Sequence, residues 1–217
     1  MAGAIQAFGG ALLDLAFPPR CPACGDAPQP ASPFCALCEG AIDPVPGEIG
    51  RTCVSGETGD VRAGALFGGP IADAIHALKY GDRAEAAVPL GRWLAGRVEV
   101  PPGARVVWVP LGRRRRIERG YDQAMLLAGS FARAAGLRLL RGAMRRVRET
   151  LPQVGRDRAA RASNVRGAFA ASKAVSGLDL VLVDDVVTTG ATAEAACQAL
   201  REAGARSITV VALARAE

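Results

Sequence analysis

The chain has 217 residues, half of them apolar, which is enough for one ordinary domain beside a small module. Aromatic residues make up only 5%, few for a protein that would hold single strands on stacking platforms. The formal charge of +6 conceals a division: residues 105–166 carry 16 Arg against 4 acids, so the middle is strongly basic and suits nucleotides or nucleic acid, while the rest is net acidic.

Near the N-terminus Ile5, Phe8, Leu12 and Leu15 recur at helical spacing and predict a short amphipathic helix. Gln6 and Asp14 interrupt the apolar run and no basic residue leads it, unlike a secretory signal. No stretch approaches 18 uninterrupted apolar residues, so no membrane span is expected, and a cytoplasmic protein with reduced thiols is.

Five of the six cysteines follow within residues 21–53. Cys21-x2-Cys24 and Cys35-x2-Cys38 form two knuckles, each able to turn two thiolates toward one ion. The stretch between them, GDAPQPASPF, cannot bury a core, so a structural Zn2+ held by Cys21, Cys24, Cys35 and Cys38 is expected to organise it. A disulfide pair or a redox CxxC would not need both knuckles. Four thiolates leave no open position, so no zinc catalysis is expected. Cys53 stands apart and reads as a buried thiol or a relic, and Cys197, beside Leu200 on one helix face, as a small core residue.

Prolines and glycines between Pro44 and Gly59 mark the exit from this module, and a boundary is placed at residue 58, giving units 1–58 and 59–217. Then come a strand in AGALFGG, a helix in PIADAIHALKY, a helix in RAEAAVPLGRWLAGRV with a kink expected at Pro89, and a buried strand in ARVVWVP. A helix in DQAMLLAGSFARAAG and a strand in LRLL follow. Residues 142–165 are Arg-rich and weakly periodic; LDLVLVDD is a strand, ATAEAACQALREAG a helix and SITVVALAR a final strand. Continuous Val/Leu/Ile strands separated by helices predict an α/β fold with a parallel sheet covered on both faces.

The segment LVLVDDVVTTGAT joins the strand ending in Asp184 and Asp185 to the helix opening around Thr188–Thr192. Ligands of open parallel sheets sit beyond such strand ends, where a helix N-terminus points at them. The backbone N–H groups of Thr189, Gly190, Ala191 and Thr192 can cup a phosphate, with hydroxyls from Thr188, Thr189 and Thr192. Carboxylates would repel that phosphate, so Asp184 and Asp185 should face sugar hydroxyls or a Mg2+ ion. Helix capping explains one threonine but not two adjacent carboxylates, and the Lys of a P-loop is absent.

Two acids followed by VVTTGAT on a strand–loop–helix resemble the phosphoribosyl pyrophosphate (PRPP) motif of type I phosphoribosyltransferases. HALKYGDR (76–83), VWVPLGRRRRIERGYDQAMLLA (107–128), RETLPQVGRDRAARASNVRGAF (148–169) and the cysteine module together resemble the ComF/ComFC competence proteins and their GntX-like relatives over essentially the whole length. Many of those relatives carry a second knuckle near Cys53, where this chain has Cys53 alone, so a single zinc is expected.

The resemblance implies a zinc ribbon before a Rossmann-like phosphoribosyltransferase domain. PRPP would place its 5′-phosphate on Thr188–Thr192 and its ribose hydroxyls on Asp184 and Asp185, with Mg2+ accompanying the pyrophosphate. Pro110, Leu111, Gly112 and Arg113 resemble the pyrophosphate loop, and residues 145–161 a loop that closes over PRPP. Arg114, Arg115, Arg116 and Arg119, with Arg145, Arg146 and Arg148, are candidate contacts to DNA or phosphate; Arg113–Arg116 can equally be a solvated basic face. Lys79 can reach the site or merely cap carbonyls, and His76 reads as packed or surface-placed rather than as a general base. Arg119, Gly120, Asp122 and Gln123 match a family segment that could order the pyrophosphate loop, and Gln153, Arg161 and Asn164 also match. The implied function is DNA uptake in transformation, with PRPP, single-stranded DNA and uptake or recombination proteins as partners; the alternative is a transferase acting on a base or amine.

Overall fold

The computed structural model describes residues 18–46, 52–53, 60–80, 83–149 and 165–216. The expected N-terminal helix, Gln153, Arg161, Asn164 and most of the Arg-rich stretch after Glu149 lie outside them. Among the described residues six strands form the main sheet: β1 (Thr52–Cys53), β2 (Asp60–Leu66), β3 (Arg105–Trp108), β4 (Arg138–Leu139), and two nine-residue strands near the C-terminus, Asp179–Val187 and Ser207–Arg215. Between β4 and those two lies a separate antiparallel pair, β5 (Met144–Arg146) and β6 (Phe169–Ala171), so the long strands are β7 and β8.

The strand order is β1-β2-β8-β7-β3-β4, with only the β1–β2 pairing antiparallel. The expected parallel sheet is therefore present, and its two longest strands sit inside it. Leu180–Val183 and Val210–Leu213 are at most 1% exposed, as continuous apolar runs require when both faces are covered.

Alternate residues of β7 enter different cores. Val181 and Val183 meet α2 (Gly69–Tyr80), α3 (Ala87–Ala95) and the helix Gln123–Ala134 through Ile71, Ile75, Leu78, Leu90, Leu94, Leu127 and Phe131. Leu180 and Leu182 meet the last helix, Ala191–Glu202, through Ala193, Ala196, Cys197 and Leu200, and the β5–β6 pair through Met144 and Phe169. A two-turn helix, Arg113–Arg119, follows β3. In chain order these helices are α4 (113–119), α5 (123–134) and α6 (191–202), after a single turn, α1 (Ala36–Gly40), in the cysteine module.

Three expectations need correction. The strand expected in AGALFGG is β2, which begins earlier, at Asp60, and ends at Leu66. Pro89 lies in the first turn of α3, where a missing N–H breaks no helical bond, instead of kinking a helix interior. β7 runs on through both aspartates to Val187 instead of ending on them, and α6 starts only at Ala191. β5 and β6 were not expected at all, because three-residue strands offer no periodicity to detect.

α3 and α5 meet at small residues. A Cβ added to Gly91 would sit 2.6 Å from Ser130 Cβ and 2.9 Å from both the Leu127 carbonyl oxygen and the Phe131 nitrogen. Ser130 Oγ donates to the Val88 carbonyl across the same contact, at 2.6 Å. Backbone atoms cannot give way as a flexible side chain can. Gly91→Ala should therefore destabilise the fold by about 1–3 kcal/mol, outweighing the gain of about 1 kcal/mol from helix propensity. Urea unfolding checks this: the midpoint should fall with an unchanged m value, and an unchanged or raised midpoint would contradict the packing.

Candidate functional site: a crevice between β3 and β7

β3 and β7 are neighbours with parallel register from Arg105–Leu180 to Trp108–Val183, extended by Val109 N–H donating to the Val183 carbonyl at 3.0 Å. From β3 the chain moves by way of α4 and α5 to β4 on one side; from β7 it moves by way of α6 to β8 on the other. The connections diverge here, so the loops at 110–112 and 188–190 flank a crevice at the carboxyl edge of the sheet, where open parallel sheets bind ligands.

On the β7 side, Gly190 is the N-cap of α6, with φ +78°. That left-handed conformation suits glycine, and glycine has no side chain to cap the first turn. The unbonded N–H groups of this first turn and the helix dipole favour an anion, and Thr189 and Thr192, both half-buried, stand beside it. Thr188 is exposed and Ala191 buried.

On the β3 side, Asp122 organises the loop. It caps α5 by accepting from Met125 N–H through Oδ1 at 3.1 Å, and its Oδ2 accepts from Leu111 N–H at 3.2 Å and Trp108 Nε1–H at 3.4 Å. The expectation that the 119–123 segment orders the 110–112 loop therefore holds for Asp122. Gly112 is in contact with the Glu149 carboxylate, which a side chain there would strike.

Between these loops the two aspartates differ. Asp185 is 5% exposed, and both its oxygens are engaged: Lys79 Nζ lies 2.8 Å from Oδ1, and Gln123 Nε2 donates to Oδ2 at 3.0 Å. Lys79 thus reaches the Asp185 carboxylate. Asp184 is half-buried, and its Oδ1 accepts from Asp185 N–H at 2.9 Å. Burial first, and then the adjacent Asp185 carboxylate, push it up to about 8, against a weaker downward pull from Lys79. His76 is exposed, edge-on to Tyr80 with ring centroids 6.1 Å apart, and makes no contact with the aspartates.

The basic residues divide as well. α4 buries none of its residues; Arg113, Arg114 and Arg116 are exposed, and Arg114 pairs with Glu118 one turn on at 2.7 Å. Arg115 is half-buried, and the Arg119 guanidinium lies 4.8 Å over the exposed Tyr80 ring. Arg145 is exposed. Arg146 stacks over Phe169 at 5.4 Å and donates to the Arg148 carbonyl, while Arg148 donates to the Arg166 carbonyl, so these two brace the β5–β6 pair.

In the cysteine module the sulfurs of Cys21, Cys24, Cys35 and Cys38 all lie within 4.8 Å of one another, with 3.6 Å between Cys24 and Cys35. A tetrahedral ZnS4 centre with bonds of about 2.3 Å needs sulfurs about 3.8 Å apart, so the four thiols fit Zn2+. Against burial, backbone N–H groups of Cys24, Cys35 and Ala23 draw the Cys21 thiol down to about 7. Burial and the neighbouring sulfurs raise Cys38, the crowding that a dication would relieve. Among the described residues this is the one cluster of three or more His, Cys, Asp or Glu side chains close enough to share a metal ion. Cys197 is fully buried and pushed up to about 12, an inert core thiol.

The module is not loosely tethered. Phe34 is fully buried and meets Trp93 of α3 edge-on, with centroids 5.6 Å apart; the Arg97 guanidinium covers the Trp93 ring at 4.4 Å and pairs with Glu39. Arg83 Nη1 donates to the Cys21 carbonyl at 3.3 Å. Cys21, Phe34, Cys35 and Ile42 belong to the same core as α2, α3 and α5.

Comparison with known proteins agrees with both halves. The double zinc ribbon domain profile matches residues 12–60, and the phosphoribosyl transferase domain profile matches residues 127–217. DNA utilization protein YhgH of Salmonella typhi is 36% identical over 153 residues, 67% of this chain and 67% of that protein. Its counterpart in Escherichia coli K12 is 34% identical over 160 residues, 70% of each. Competence protein F of Haemophilus influenzae is 38% identical over 116 residues, 51% of this chain and 50% of that one. Among solved structures, glutamine PRPP amidotransferase from B. subtilis aligns with a TM-score of 0.43 and 26% identity, over 65% of this chain and 27% of that one. Among the described residues no helix is long and apolar enough to cross a membrane.

Proposed function

Because this chain belongs to the family of DNA utilization protein YhgH and competence protein F, we propose that it serves DNA uptake or utilisation and that its crevice binds PRPP with Mg2+. One observation carries the ligand: the glycine-led N-terminus of α6, with no side-chain cap, opens one short loop after the strand that holds two adjacent carboxylates, at a topological switch point. An anion on that helix end and hydroxyls on the acidic side are the two features of a ribose 5-phosphate. The α6 turn with Thr188, Thr189 and Thr192 holds the 5′-phosphate; the acidic side takes the ribose hydroxyls and Mg2+; Pro110–Arg113, tied down by Asp122, faces the pyrophosphate.

Single-stranded DNA is the proposed macromolecular partner, carried by the exposed arginines of α4 and by Arg145. With few aromatic residues to stack on, affinity comes mainly from phosphate contacts. The division into a ribbon unit, 1–58, and a nucleotide-binding unit, 59–217, is kept, and both proposed tasks fall on the second.

Calorimetry with PRPP and Mg2+ tests the ligand. Wild type should bind, and Asp184→Asn should weaken binding by about 10- to 100-fold, the worth of a hydrogen bond to a charged group. Unchanged affinity in the variant would remove Asp184 from the site.

A further inference from the structure

Aromatic side chains are few in this chain, and the fold hides most of those it describes. Phe34, Trp93, Phe131 and Phe169 are buried, and Trp108 and Tyr121 are half-buried. Tyr80, in the last turn of α2, is 74% exposed, against 38% for Phe67. A lone exposed ring is ordinary on a protein surface. This one is not alone.

The Arg119 guanidinium covers one face of the Tyr80 ring at 4.8 Å from its centroid. His76, one turn earlier on α2, meets the ring edge-on, with centroids 6.1 Å apart and planes at 84°. With one face covered and most of the residue in solvent, the opposite face is open. The helix end beneath it is tied down. Tyr121 Oη donates to the Leu78 carbonyl at 2.6 Å, and Lys79 Nζ lies 2.8 Å from Asp185 Oδ1. A ring held this way has little freedom left to lose when a flat group stacks on it.

Charge decides which flat group fits. Arg119 is the last residue of α4, and Arg113, Arg114 and Arg116 are exposed along the same helix, over about 9 Å of its axis. An open π face at the end of a row of guanidinium groups matches an unpaired base carried on its own phosphate backbone. A free nucleobase needs enclosure and convergent polar groups to be held, and so exposed a ring gives no enclosure.

We propose that the Tyr80 ring, backed by Arg119 and braced by His76, is a stacking platform for one unpaired base of a single strand whose phosphates lie along α4. The arginines attract phosphate whatever base it carries; Tyr80 makes the protein distinguish a strand with free bases from a bare phosphate chain. This rests on the single-strand reading of the α4 face.

Fluorescence anisotropy with labelled oligo-dT, and with an abasic strand of equal length, tests the platform. The two strands carry the same phosphates and differ in their bases. Wild type should bind oligo-dT about 5- to 100-fold more tightly. Tyr80→Ala should bring the two affinities together and leave the salt dependence unchanged, because that slope counts phosphate contacts. Arg113→Gln/Arg114→Gln/Arg116→Gln should do the reverse, lowering the slope and keeping the preference. Tyr80→Trp should keep the preference and add an emission that oligo-dT quenches and the abasic strand does not. Tyr80 is mostly exposed, so Tyr80→Ala should melt with wild type; should it fail to fold, the two strands on wild type still read the platform.

Equal affinity of wild type for the two strands would overturn the platform and leave the single-strand reading standing. A preference that survives in Tyr80→Ala would place the stacking on another residue and overturn the proposal equally. Thymidine monophosphate displacing oligo-dT at an equal concentration of bases would assign the ring to a free nucleotide and overturn the strand as its ligand. If wild type binds neither strand, the single-strand reading itself falls and the platform with it, a result distinct from the others.

Discussion

Stripping the metal from the four cysteines is expected to unfold much more than the ribbon. The loop GDAPQPASPF has no core of its own, but its last residue, Phe34, is fully buried against Trp93, and Cys21, Cys35 and Ile42 pack into the core beneath α2 and α3. Losing a buried Phe costs about 3–5 kcal/mol when it is truncated to Ala, a large share of the roughly 5–15 kcal/mol that holds a typical domain. A strong chelator should therefore lower the melting temperature of the whole chain, and Phe34→Ala should do so with metal bound. Trp93 reports the event: with Phe34 withdrawn its emission should shift to the red, and the shift should vanish in Trp93→Phe, which leaves Trp108 unaffected. A chelated protein with unchanged emission and melting temperature would mean that the ribbon and the sheet are energetically independent.

Binding to a labelled oligo-dT should weaken about a hundredfold between 50 and 200 mM salt if some five phosphates are neutralised, because single-strand binding scales with a slope of about −0.7 per contact. Replacing Arg113, Arg114 and Arg116 with Gln should make that slope shallower by about 2. The test is clean because α4 buries none of its residues, so the melting temperature should not move. The Arg114–Glu118 pair is exposed and worth little. Arg146 and Arg148 are poorer choices, since they brace the β5–β6 pair and their loss would mix folding with binding. An unchanged slope in the triple variant would take α4 out of the interface.

Elements with strong local signals were legible. The two knuckles announce a four-sulfur centre, and the observed sulfur spacing suits zinc. The apolar runs at 180–183 and 208–213 announce buried parallel strands, and α6 appears within two residues of its expected end. Less legible was the end of β7: Asp184 and Asp185 look like a strand terminus, but pairing with β8 carries the strand to Val187, because neighbouring backbone, not side-chain polarity, decides where a ladder stops.

The sequence by itself determined the composition of the site: two acids, three threonines and a glycine within nine residues, a basic stretch, and four thiols at zinc spacing. Those signals are local, written by short-range geometry and capping. Only the tertiary structure decided how these parts are used. It set β3 beside β7 to open the crevice, drew Phe34 of the ribbon under Trp93, and brought Lys79 and Gln123 to opposite oxygens of Asp185. Those contacts join residues about sixty or more positions apart, and no periodicity records them. They exist because parallel strands and their covering helices must close long connections before their side chains can meet.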